Sequence, residues 1–252
     1  MGYFYAEKDI FQKITEQTGT FGNRHPVTFL LEAADDISYL IADLEDAVKK
    51  GILSIDNLIE VLQSEITPQD YLFKECLEKL LQTKKTCIKE ISTFQSWSTT
   101  KVRGKLINSV VESFFDNYSA IIAGTFDKAL LETCKGKDLA KALEKACRTH
   151  VFTDKQIIAS ELAGKKIIYG LLDLFVPAVI YYDSEFADPN KDESKRLIKL
   201  ISDNHLSSYH KYSKNKNEKE QLYLRLLLVT DFICGMTDTY AKDLYQELNG
   251  IY

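Results

Sequence analysis

The sequence predicts an all-α protein built as a multi-helix bundle. Apolar residues recur at the three- and four-residue steps of a helix over most of the 252 residues, and strand signals are scarce. Eleven glycines and four prolines are few for this length, which argues against long irregular segments. With 45% hydrophobic and 27% charged residues, the composition is that of a globular domain. Because no repeat or low-complexity tract divides the chain, we expect a single helical domain over residues 1–252.

The first two helices are delimited by glycine and proline. A periodic segment over residues 7–18 ends at a glycine. After a loop, Pro26 stands where proline is best tolerated, in the first turn of a helix. This second helix should run to residue 50 and end at Gly51.

The rest of the chain continues the helical pattern. Ser54 and Thr67 are suitable N-caps for two helices, and Pro177 should kink or interrupt another. The best strand candidate is the short segment 149–152. Surface linkers are expected over 184–194 and 207–219. Helices are expected over residues 56–63, 69–94, 99–123, 137–148, 161–182, 193–203, 218–234 and 237–248.

Charge and cysteine content limit the class of protein. A net charge of −5 argues against a protein dedicated to coating nucleic acid, since phosphate binding draws on clustered Lys and Arg. The five cysteines are odd in number and lie at no zinc or redox spacing, which favours free thiols in a reducing compartment. Neither a signal peptide nor an apolar run of membrane-spanning length is recognisable. These features predict a cytoplasmic protein without membrane contact.

The helix starting at Pro26 has an apolar side and an acidic side. Asp35, Tyr39 and Asp43 stand four residues apart and therefore form one ladder along it. Two interpretations are open at this point: a solvated acidic face, or a ligand-binding wall in which a cation or donor pairs with the acids. The apolar stripe consists of Leu30, Ala34, Ile37, Ile41, Leu44 and Val48. The opposite side carries Glu32, Asp35, Asp36, Tyr39, Asp43 and Asp46.

Two long motifs resemble a known family. Arg-His-Pro at residues 24–26, followed by Leu-Glu-Ala-Ala-Asp-Asp-Ile at 31–37 and Asp-Leu-Glu-Asp-Ala at 43–47, is similar to the signature of bacterial dGTPases of the HD superfamily. Thr-Asp-Phe-Ile-Cys-Gly-Met-Thr-Asp-Thr-Tyr-Ala at 230–241 is similar to a second signature of that family. The resemblance spans essentially the whole chain and implies the C-terminal, all-helical part of such a protein.

This resemblance implies an activity and a site. The family hydrolyses a deoxynucleoside triphosphate to the deoxynucleoside and inorganic triphosphate, at Mn²⁺ or Mg²⁺ held by a His…His-Asp…Asp set. It places the last of these metal ligands at Asp35 and sets Tyr39 against the sugar and base. Asp43 would accept a hydrogen bond from the 3′-hydroxyl, and Asp36 would be a neighbour of the site.

Three basic residues are candidates for phosphate contacts. Arg24 and His25 stand at the start of the long helix, where the helix dipole favours anions. Arg103 is a candidate because a guanidinium matches phosphate geometry. The alternatives are a structural role at the helix entry for Arg24 and His25, and an exposed helical arginine for Arg103.

The sequence departs from the family in its metal ligands. It contains four histidines and no His-Asp dipeptide, and in the family the other ligands lie upstream of the residues matched here. The first functional hypothesis is therefore a triphosphohydrolase portion, inactive alone, which acts on a dNTP, dGTP above all. The second is a non-catalytic nucleotide-binding or oligomerisation module. Both imply a partner carrying the missing ligands and a homo-oligomer, with single-stranded nucleic acid kept as an open alternative.

Overall fold

The computed structural model describes residues 3–251, apart from the side chain of Ala6. Within that part all regular structure is helical, which confirms the predicted all-α class. A 3₁₀ turn at Tyr5–Glu7 precedes the first helix, and π-helical turns occupy Ser98–Val102 and Cys147–Val151. The α-helices are α1 (Lys8–Thr18), α2 (Pro26–Lys49), α3 (Ile55–Glu65), α4 (Tyr71–Thr86), α5 (Glu90–Trp97), α6 (Arg103–Asp116), α7 (Tyr118–Ile122), α8 (Leu130–Thr133), α9 (Lys137–Ala146), α10 (Lys155–Ile180), α11 (Lys191–Ile198), α12 (Asp203–Ser213), α13 (Glu218–Cys234) and α14 (Asp238–Leu248).

The helices form two compact units. The first extends to Asp154 and the second begins at Lys155. Each unit has its own cluster of buried apolar side chains. The expectation of one continuous helical domain over residues 1–252 stays a prediction.

Helix α2 is the central helix of the first unit. It packs against α5, α6, α8 and α9. Burial of a large aliphatic or aromatic side chain stabilises a fold by about 1.5–3 kcal/mol, so this one stripe anchors much of the unit. The buried side chains of α2 are Phe29, Ala33, Ile37, Ile41, Leu44, Ala47 and Val48.

Local sequence signals explain where α2 begins and ends. His25 is its N-cap, because the imidazole Nδ1 accepts a hydrogen bond from the Val27 backbone N–H at 3.2 Å. Pro26 occupies the first turn, as predicted. The chain leaves the helix at Gly51, whose φ of 71° is readily adopted only by glycine. The predicted place of Ala34 in the apolar stripe is wrong: Ala34 is exposed and Ala33 is buried instead.

The second unit is built around α10 and α13. Phe175 of α10 packs edge-to-face on Phe232 of α13, with 5.3 Å between the ring centroids. Arg225 of α13 is only 1% exposed, and it donates to the Tyr182 carbonyl at 3.0 Å and pairs with Glu218. Helix α10 passes through Pro177 without interruption, so the proline does not divide it.

Several predicted boundaries are corrected by the structure. The strand candidate 149–152 lies mostly in the π-helical turn Cys147–Val151, since Cys147 and Val151 are buried on one side of a helical path. The expected helix 69–94 is divided between α4 and α5. Much of the expected linker 207–219 belongs to α12 and the start of α13.

The predicted caps have mixed outcomes. The Ser54 hydroxyl accepts from the Asn57 backbone N–H, which confirms Ser54 as the cap of α3. Thr67 does not cap α4; Asp70 does, by accepting from the Phe73 backbone N–H at 2.9 Å. Both residue types suit an N-cap, but Asp70 directly precedes Tyr71, the first residue of α4, and Thr67 does not.

Candidate functional site

A cleft of about 400 Å³ lies between α2 and α9 in the first unit. One wall belongs to α2 and the facing wall to α9, with the α8 region and the segment after α9 completing the rim. Leu40, Ala140 and Cys147 give the cleft an apolar component between its polar walls. Its lining consists of Asp36, Tyr39, Leu40, Asp43, Ala129, Leu131, Glu132, Lys137, Ala140, Lys141, Glu144, Cys147 and Phe152.

The acidic side of α2 supplies three of the predicted residues to this cleft. Asp36, Tyr39 and Asp43 are three and four positions apart, so they share one face of the helix. Tyr39 is 65% exposed, so its ring is accessible in this chain. Asp35 is exposed and does not line the cleft. The acidic face of α2 therefore borders a concave surface along part of its length.

Carboxylates dominate the electrostatics of the cleft. Burial raises the pKa of Asp36, and the negative charges of Glu32, Asp35, Glu132 and Glu144 raise it further. Like charges disfavour ionisation of one another, so Asp36 holds its proton to higher pH than a free aspartate.

The thiol of Cys147 is buried in the same cleft. Burial raises its pKa to about 12, with further contributions from the nearby charges of Asp43 and Glu144. A thiol with so high a pKa is not a nucleophile at neutral pH. Cys147 therefore contributes apolar lining rather than chemistry.

Two lysines that the sequence analysis did not single out also line the cleft. Lys137 and Lys141 lie one turn apart on α9, and neither ammonium group forms an ion pair with any described residue. Their four-residue spacing was visible in the sequence, but spacing alone does not reveal which helix they face. Only the packing of α9 against α2 shows it.

The three predicted basic residues lie away from the cleft. Arg24 pairs with Glu32, and its guanidinium carbon lies 4.1 Å from the centre of the Phe29 ring. His25 caps α2, as described above. The Arg103 guanidinium approaches Glu45 at 4.0 Å. None of the three basic residues lines the cleft, and their contact with substrate stays a prediction.

A complete metal site is not formed by the described residues. In residues 3–251, no group of three or more His, Cys, Asp or Glu side chains is arranged to hold a metal ion. Asp35 accordingly belongs to no such group of ligands within the described residues.

The second sequence motif lies in the second unit, around the junction of α13 and α14. Thr237 caps α14 by accepting from the Tyr240 backbone N–H at 3.2 Å, and Asp238 is the first residue of that helix. An acid in the first turn is favourable to the helix dipole. The residues of this motif thus form the start of α14.

The fold and the cleft together define an all-α protein with an acidic, tyrosine-bearing cleft between two helices. No family model matches the chain. Individual relatives do match it. The deoxyguanosinetriphosphate triphosphohydrolase-like protein of Listeria monocytogenes is 47% identical over 253 residues, which cover 100% of this chain and 54% of the relative. A protein of the same name from Listeria innocua matches with the same figures.

A more distant relative carries the enzyme's name without qualification. The deoxyguanosinetriphosphate triphosphohydrolase of Yersinia pestis is 31% identical over 271 residues, which cover 98% of this chain and 53% of the relative. The chain thus spans about half the length of the curated relatives it matches. It is similar over nearly its whole length to these dGTP triphosphohydrolases and matches their C-terminal portion, which confirms the resemblance seen in the motifs.

Among the described residues, no helix combines the length and apolarity needed to cross a bilayer.

Proposed function

We propose that this chain forms the C-terminal, nucleotide-facing portion of a dNTP triphosphohydrolase. The reaction converts a dNTP and water to the deoxynucleoside and inorganic triphosphate, with dGTP as the expected substrate. One observation carries the proposal: Asp36, Tyr39 and Asp43, from the helix that carries the family-like motif, line one wall of a cleft of about 400 Å³. A cleft of this size falls in the range of small-molecule sites.

The proposed roles follow the resemblance onto the positions of α2. Tyr39 would lie against the sugar and base, with a phenol ring that is accessible here. Asp43 would accept a hydrogen bond from the 3′-hydroxyl, which a carboxylate can do without moving a proton. Asp36 would border the bound nucleotide. Arg24, His25 and Arg103 stay as proposed substrate contacts that would need a ligand extending beyond the cleft.

The described residues do not by themselves fit a catalytic Mn²⁺ or Mg²⁺. Asp35 would be one ligand, and the family's histidine ligands have no counterpart near it, since His25 is engaged as the cap of α2. The remaining ligands would come from the part of the relatives that this chain does not match. We therefore assign no reaction step to this chain's own residues and propose substrate binding as its contribution.

A second candidate function is a non-catalytic binding or oligomerisation module. One observation favours it: exposed apolar side chains follow α6 and α7 at four- and three-residue steps. They are Ile107, Val111, Phe115, Tyr118 and Ile122, between 41% and 67% exposed. Several exposed apolar side chains near one another in the chain are typical of a protein contact. A homo-oligomer and a cytoplasmic location belong to the same proposal, and single-stranded nucleic acid stays an alternative partner.

A chimaera separates the two functions. The half of the Listeria monocytogenes protein that is not matched here would be joined to this chain, and triphosphate release from dGTP measured with Mn²⁺. The enzymatic proposal expects metal-dependent release that Asp35→Ala abolishes. Asp46→Ala, which removes an exposed acid of α2 outside the cleft, serves as the control and should retain activity. A folded chimaera whose activity is indifferent to Asp35→Ala would contradict the proposal.

A further inference from the structure

The α9 wall of the cleft faces the α2 wall that carries Asp36, Tyr39 and Asp43. Glu132 of α8 and Glu144 of α9 line the same cleft, so acidic side chains stand around it on more than one helix.

The amino-end half of the α9 wall carries the two unpaired lysines. Lys137 is the first residue of α9 and Lys141 follows one turn later, on the same face. The neighbouring lysines behave differently. Lys135 pairs with Glu112 at 2.8 Å and Lys145 pairs with Glu65, in both cases with acids that do not line the cleft.

The cleft is lined by four acids and two lysines, so ion pairs between them would be expected. Asp36, Asp43, Glu132 and Glu144 all line the cleft, yet none of them forms an ion pair with Lys137 or Lys141. The Glu144 carboxylate instead pairs with Arg148 at 2.5 Å. An anion entering this acidic cleft would be repelled unless ammonium groups stood ready to receive it.

We propose that Lys137 and Lys141 bind the polyphosphate chain of the nucleotide in this cleft. The inference rests on the proposed function, which places the sugar at Tyr39 and Asp43, and it adds the residues that receive the phosphoryl groups. A lysine ammonium is a mobile point charge with three donors, which suits a flexible polyphosphate. Two such groups one helical turn apart can contact successive phosphoryl groups.

Inorganic tripolyphosphate tests the lysines without a nucleoside. Calorimetry at low salt would compare this chain with K137M/K141M and with K135M/K145M, which makes the same change of net charge outside the cleft. We expect K137M/K141M to weaken tripolyphosphate binding at least tenfold, because a hydrogen bond to a charged group contributes about 1.5–3 kcal/mol. The control variant K135M/K145M should change the affinity for tripolyphosphate by less than about threefold, because its charges are remote from the cleft and screened by solvent. All four lysines are exposed, so circular dichroism should show both variants folded.

Binding of deoxyguanosine, which lacks phosphate, separates a failure of the lysine assignment from a failure of the proposed function. K137M/K141M should leave deoxyguanosine binding unchanged while it weakens dGTP binding. Unmeasurable tripolyphosphate binding by the unchanged chain, or an equal loss in K137M/K141M and K135M/K145M, would overturn the role of the lysines. Deoxyguanosine binding that is insensitive to Tyr39→Ala would instead contradict the proposed function, whatever the lysine result.

Discussion

At the scale of single residues, Asp36 is a carboxylate surrounded by other carboxylates. Burial and the charges of Glu32, Asp35, Glu132 and Glu144 all oppose its ionisation. No cation within the described part of the chain is paired with it. Binding sites often keep groups that lower stability, and Asp36 fits this pattern.

Replacing this carboxylate should stabilise the chain. The folded-state pKa of Asp36 is raised above 3.8, so its ionisation costs stability as the pH rises from 3.8 through the folded-state value. Asp36→Asn should therefore increase the free energy of unfolding at neutral pH, and the gain should shrink as the pH falls towards 3.8. Urea titrations across this range would measure it, with Asp46→Asn as the matched control. A gain that grows on acidification would have the wrong sign for this explanation.

Helical spacing placed Asp35, Tyr39 and Asp43 on one ladder of α2. The cleft is lined by Tyr39 and Asp43 together with Asp36, which the resemblance had set beside the site, whereas Asp35 does not line it. Sequence reasoning did not identify Lys137, Lys141 or Phe152 as neighbours of that face. Which helix lies opposite α2 depends on contacts between residues about a hundred positions apart, and no local pattern encodes them. The misplaced Ala34 has a related cause: adjacent alanines at 33 and 34 are equally apolar, and only packing decides which one is buried.

At the scale of elements, the sequence predicted α2 to within one residue. Its start and end are set by local chemistry: Pro26 in the first turn and Gly51 in the left-handed region. The segment 149–152 was predicted as a strand, because Thr and Val have a high propensity for β-strands. In the structure Val151 is buried on a helical path, so tertiary packing overrides that preference.

The cap of α2 can be tested by substitution. His25→Ala removes the acceptor of the Val27 N–H, and loss of an N-cap costs about 0.5–2 kcal/mol. We expect His25→Ala to lower the free energy of unfolding, measured by urea titration, by that amount and His25→Asn to restore most of it. If both variants were as stable as the unchanged chain, the cap would contribute nothing and a ligand-binding role for His25 would gain weight.

At the scale of the whole molecule, the chain provides one of the metal ligands that the resemblance implies, Asp35, and not the full set of histidines and aspartates. The number of ligands dominates metal affinity, so the chain alone should neither bind Mn²⁺ tightly nor hydrolyse dGTP. Titration with Mn²⁺ followed by calorimetry, together with a triphosphate-release assay, would measure both. Metal-dependent triphosphate release by this chain, abolished by Asp35→Ala, would overturn the expectation.

The exposed stripe on α6 and α7 leads to a further expectation for the whole molecule. Apolar surface of this extent is normally covered, so the chain should self-associate with increasing concentration and bind an apolar-sensing dye. Phe115→Ser, which changes a side chain that is 67% exposed, should reduce both effects, whereas Tyr71→Ser on α4 should not. A monodisperse monomer at high concentration that binds no dye would contradict this.

The most direct test of the nucleotide-facing assignment is dGTP binding by Tyr39→Ala, measured on the chimaera. Stacking of a base on an aromatic ring is worth roughly 1–3 kcal/mol, so binding should weaken about tenfold or more. Stability should barely change, because Tyr39 is 65% exposed in this chain. Tyr71→Ala, at a tyrosine that is 81% exposed and outside the cleft, is the control and should bind as the unchanged protein does. Unchanged dGTP affinity in Tyr39→Ala would contradict the assignment of α2 to the nucleotide site.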